Sequence, residues 1–127
     1  MSVFAEDLVT YIKAQTSITD LVGLRIEPSV LRSDTYPAIV YRCISAPRWH
    51  VAAYRQPRYQ FDLWGPDYAA LWRVSDRLSR VFEGYHGLMG TTHTYCRVIN
   101  TFDAFDDDTG LFRIHMDVKI LHKEPTD

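Results

Sequence analysis

With 127 residues, 46% of them hydrophobic and 24% charged, the chain is expected to fold as one domain, residues 1–127, with a core of its own. Its formal net charge of −2 excludes the basic bulk that holds nucleic acid by its phosphates, and its composition excludes intrinsic disorder. No apolar run approaches the ~20 residues that span a bilayer, so no membrane partner is expected.

The stretch from Met1 to Ile12 carries Glu6 and Asp7 inside an amphipathic pattern, and reads as neither signal nor transit peptide. Phe4, Leu8, Tyr11 and Ile12 form one stripe of a first helix. Ser17 and Asp20 make an S-x-x-D capping pattern before a short helical turn, Ile18 to Val22, which Gly23 stops. A brief extended piece, Leu24 to Glu27, ends at Pro28, and Pro28 to Pro37 reads as a loop. Ala38 to Ser45 has apolar residues on both parities, which predicts a strand in the interior of a sheet.

Pro47 to Arg58 has no clean period and mixes Arg48, Trp49, His50, Tyr54, Arg55 and Arg58. Such a segment is either a solvated arm, the bent end of a hairpin, or a partner contact. Tyr59 to Trp64 alternates as a strand, and Pro66 suits the first position of the helix that follows. That helix, Tyr68 to Phe82, has the broadest apolar stripe in the chain, with the small Ser75 inside it as a mark of close approach. Trp64 and Trp72 flank the strand-to-helix turn and are expected to pack at the helix–sheet junction, with ligand stacking as the alternative. Tyr85 to Thr92, rich in glycine, reads as a loop.

Tyr95 to Phe102 is the next predicted strand, and Leu111 to Leu121 the last. In the last strand Phe112, Ile114, Met116, Val118 and Ile120 share one parity, and Arg113, His115, Asp117 and Lys119 the other. This alternation predicts one buried face and one wet face. Asp106, Asp107, Asp108, Thr109 and Gly110 form the turn between these strands. The fold class is therefore α+β: a mostly antiparallel sheet of four to five strands, packed against one long helix and the N-terminal helix.

Nothing in the chain is patterned for catalysis. The acidic turn fails the calcium-loop register, because Gly110 and Leu111 fall at the fifth and sixth positions counted from Asp106. It reads as a solvated hairpin tip, with loose cation binding at a contact as the alternative. The five histidines and the cysteines lack zinc spacing, and neither G-x-S-x-G nor a phosphate-binding glycine loop is present. No metal or other cofactor is expected. Cys43 and Cys96 lie in predicted strands and, without an export signal, read as free buried thiols of an intracellular protein. Eight Tyr, six Phe and three Trp serve core and strand propensity, with any surplus suited to protein contacts.

Several pieces in order resemble the tail completion, or tail terminator, proteins of long-tailed bacteriophages and gene transfer agents. They are Leu21-Val22-Gly23 with Arg25-Ile26 and Pro28; Tyr36-Pro37-Ala38-Ile39-Val40-Tyr41; Gln60-Phe61-Asp62-Leu63-Trp64; and Asp108-Thr109-Gly110-Leu111-Phe112-Arg113. Each piece alone is degenerate; their order and spacing span nearly the whole chain. The resemblance implies a structural virion protein, assembled in the host cytoplasm into a ring of typically six subunits at the head-proximal end of the tail tube. Its implied partners are other copies of itself, the major tail tube protein and the head-tail connector or stopper protein. DNA would pass through the lumen without specific binding. A separate expectation, from charge and not from the resemblance, places the acidic turns along the channel, where they would keep DNA from sticking.

The resemblance supplies no catalytic residues. A ring needs two different patches on each subunit, and the candidates are Arg48, Trp49, His50, Tyr54, Arg55 and Arg58 against Asp106, Asp107 and Asp108. Other readings are a different neck or head-tail joining protein, a small α+β enzyme or ligand-binding module with a pocket between helix and sheet, and a dimeric interaction domain.

Overall fold

The structure is a computed structural model that describes residues 4–32, 34–47 and 54–123. Helix α1 (Phe4–Lys13) buries Phe4, Leu8 and Ile12, and puts Glu6 and Asp7 in its first turn and Lys13 in its last, each matching the local sign of the helix dipole. Helix α2 (Thr16–Val22) follows almost at once. The amides of Ile18 and Thr19 already donate to the Gln15 carbonyl, so Gln15 is the N-cap and Ser17 sits inside the first turn. The capping role expected of Ser17 is not realised. Gly23 does end the helix, at a φ of +59° that costs glycine little.

Among the described residues seven strands form one sheet: β1 (Ile26–Pro28), β2 (Ala38–Ser45), β3 (Tyr54–Arg55), β4 (Arg58–Gly65), β5 (His86–Met89), β6 (Thr92–Asp106) and β7 (Leu111–Lys123). Their order in space is β1-β2-β4-β7-β6-β5, with β3 paired to β7 just beyond β4. β2 therefore lies in the interior, as its two apolar parities predict.

The sheet is larger than the four to five strands expected, and mixed, because β1 runs parallel to β2 while the other pairs are antiparallel. The unforeseen strands β3 and β5 are two and four residues long, too short for a hydrophobic period to register. Most of the expected loop Tyr85 to Thr92 is in fact β5 and its turn. Gly90, at φ +60°, is the first of two turn residues between Met89 and Thr92, and Gly87 pairs with Thr94 inside the strand.

Helix α3 (Tyr68–Phe82) starts at Asp67, whose carboxylate accepts the Ala70 amide at 3.1 Å. Pro66 consequently stands before the cap and not at the first helical position. Leu71, Val74, Ser75, Leu78 and Phe82 are buried as α3 crosses β4 and β7. Against them the sheet presents rows fixed by register: Ile39–Leu63–Ile114, then Tyr41–Phe61–Met116. At the centre the Phe61 and Phe82 rings stack with centroids 5.2 Å apart. Arg77 ties α3 to α2 through the Ser17 carbonyl, at 3.0 Å.

The two cysteines differ. Cys96 is fully buried in β6, and burial pushes its thiol up to about 12. Cys43, expected to be buried, is exposed, because β2 runs out from under the helix layer after Tyr41. A thiol reagent at pH 8 is therefore expected to modify Cys43 rapidly and Cys96 only on global unfolding. Mass spectrometry of the time course checks this; equal rates would contradict the burial described.

Candidate interaction surface

The outer face of the sheet, opposite the helices, is built by register. One row crosses it as Val40–Asp62–His115–Phe102, the next as Arg42–Gln60–Asp117–Asn100, and a third as Arg58–Lys119–Arg97. The first two hold a buried polar network where the sequence predicted a wet face. Asp62, His115 and Asp117 are only 6%, 6% and 8% exposed.

Arg113 Nε donates to His115 Nε2 at 2.9 Å, and arginine has no acceptor, so Nε2 carries no proton. Nδ1 must hold it and donates to Asp62 Oδ1 at 2.5 Å. The Gln60 amide donates to the same carboxylate oxygen at 2.9 Å. Arg58 closes on Asp117 at 2.7 Å, and Phe102 covers the His115 ring with centroids 4.8 Å apart. The Asp62 carboxylate and both His115 nitrogens are thereby partnered, which is what makes their burial tolerable. The Gln60 amide nitrogen also lies 2.7 Å from His115 Nδ1, and Arg58 Nε is buried without a partner among the described residues.

Trp64 also belongs to this face. The Arg113 guanidinium lies 4.8 Å from its ring, so Trp64 makes a cation–π contact instead of packing at the helix–sheet junction. Trp72 does pack against the core, with Tyr68 beside it at 6.3 Å.

The β6–β7 hairpin is the other open region. Val98 and Asn100 face Val118 and Asp117 in succession, so Ile99 is the extra residue of a bulge. β5 pairs with β6 only from Thr92 to Tyr95, so among the described residues no strand lies along the outer side of β6 from Asn100 to Asp106. Ile99, Phe102 and Phe105 are 44%, 49% and 53% exposed there. The Tyr68 hydroxyl donates to Asp103, and the Asp106 carboxylate accepts the Asp108 amide at 3.2 Å and the Thr109 hydroxyl at 3.0 Å. Asp106 thereby shapes the turn, while Asp107 and Asp108 point to solvent.

Of the residues singled out in the sequence, Arg48, Trp49 and His50 lie outside the described residues. Tyr54 and Arg55 pair with Lys123 and His122. Arg58 stands opposite Lys119, and Asp106 opposite Leu111, eight residues further along β7 and so ~27 Å away. The basic segment and the acidic turn are not brought together within one chain. Asp62, His115, Asp117, Arg97 and Lys119 escaped the sequence reading as site residues. The local signals available were the carboxylate between Phe61 and Leu63 and the polar parity of the last strand, which holds His115, Asp117 and Lys119. Among the described residues no three His, Cys, Asp or Glu converge to hold a metal, and no helix is long and apolar enough to cross a membrane.

The sheet thus has one face packed on helices, with charged and aromatic surface left open on the other face and at the hairpin. Residues 6–123 match the family model "Tail completion protein gp17", and the chain belongs to that family. It is a structural protein of a phage-type virion tail. The fold is similar to that of a chain in the virion of a native gene transfer agent particle, with a TM-score of 0.80 at 9% identity over 95% of both chains. No curated protein matches the sequence.

Proposed function

We propose that copies of this chain close into a ring, with six subunits as the family resemblance implies, on the head-proximal end of a tail tube. The ring ends tube polymerisation and offers the surface on which the head-tail connector docks. The observation that carries this reading is the family match, which spans the chain from residue 6 to residue 123. The open surfaces support it. A ring requires a heterologous interface made of two unlike patches, and the basic segment holding Tyr54, Arg55 and Arg58 stands far from the acidic turn Asp106 to Asp108. These patches serve as contacts to neighbouring copies, tube or connector.

Electron microscopy of tails assembled without the chain is expected to show tubes of uncontrolled length that fail to join filled heads. Tails of normal length that join heads in its absence would refute the reading.

A further inference from the structure

We propose that the acidic tip of the β6–β7 hairpin of one copy docks head to tail into a basic groove on the outer sheet face of the next copy. This rests on the multi-copy assembly proposed above and names the surfaces that join its subunits.

The groove, of about 490 Å³, is lined by Arg97 and Lys119, with Tyr95, Ile99 and Leu121 as an apolar wall and Gln56 at one side. Arg97 and Lys119 are direct cross-strand partners on β6 and β7, and both are exposed. Like charges placed opposite one another destabilise a lone sheet. Arg58, the third cation of the row, is neutralised by Asp117. Among the described residues no carboxylate lies within ion-pair distance of Arg97 or Lys119. The groove is thus a site with excess positive charge beside apolar surface.

The tip carries the complement. Asp107 and Asp108 are exposed at the turn, and Phe105, half exposed, stands just before them. Carboxylates suit the two cations, and an aromatic ring suits the wall of Tyr95, Ile99 and Leu121. Tip and groove occupy opposite ends of the same paired hairpin, so a chain cannot satisfy its own groove. The complement must come from a second copy. Because the two patches are unlike, each subunit offers one and receives the other, the kind of contact that closes a ring when the rotation from copy to copy closes.

The test uses charge reversal in the full chain, with circular dichroism to establish folding and native mass spectrometry to read assembly, alone and on purified tail tubes. One variant carries Arg97→Glu and Lys119→Glu; the other carries Asp107→Lys and Asp108→Lys, sparing Asp106 and its turn hydrogen bonds. Each variant alone is expected to weaken self-association by at least about tenfold, since it sets like charges against like. Mixing the two variants is expected to restore assembly in strictly alternating order, with even copy numbers. Combining all four changes in one chain is expected to restore it as well. Assembly that survives either reversal, or that neither the mixture nor the combined variant restores, overturns this interface and leaves the ring standing. A wild-type chain that stays monomeric even on tubes, or stops at a reciprocal dimer, overturns the ring and the interface together.

Discussion

Replacing Phe61 with alanine is expected to cost about 3–5 kcal/mol of folding stability, the usual range for emptying a fully buried aromatic site. Phe61 is fully buried at the middle of β4, in the row Tyr41–Phe61–Met116 and against the Phe82 ring. Its neighbours come from three strands and α3, and they cannot collapse into the space without shifting the helix on the sheet. Since small domains have about 5–15 kcal/mol in total, the variant is expected to sit near its unfolding threshold. Urea unfolding checks this through a lowered midpoint at unchanged slope. A loss below ~1 kcal/mol would mean that α3 does not seal this part of the core.

Asp62→Ala is expected to have the second largest effect, about 2–3 kcal/mol, although the residue lies on the face away from the helices. Its carboxylate accepts from both His115 Nδ1 and the Gln60 amide while only 6% exposed. Removing it leaves the buried His115 Nδ1–H without its acceptor and takes one partner from the half-buried Gln60 amide, and the Arg113–His115 bond loses the group that fixes the tautomer. A double-mutant cycle with His115→Ala isolates the pair, and a coupling of at least ~0.5 kcal/mol is expected. Additive losses would show that the two side chains contribute independently.

The two substitutions also mark what a linear reading finds and misses. Phe61 is legible as core because Tyr59, Phe61 and Leu63 share a parity, and α3 is legible because its stripe repeats over 15 residues. Asp62 and His115 are each unremarkable in their own strands. They become partners only when β4 and β7 pair in one register, from residue 62 to residue 115. Arg97 and Lys119 meet in the same way, and a slip of one residue would send either to the core face. The candidate contacts at Arg58 and Asp106 to Asp108 were visible as local charge. Their separation to opposite ends of the sheet was not.

Periodicity alone determined the α+β class, the positions of α1, α3, β2, β4 and β7, and which parity of β4 and β7 turns inward, because burying apolar surface is a local demand on spacing. Tertiary structure decided the parallel pairing of β1, the short strands β3 and β5, the exposure of Cys43, and the charged rows of the outer face. The reason is physical: short strands are held by hydrogen bonds to neighbours distant in sequence, and the partner of an outward side chain is set by register, which no single segment contains.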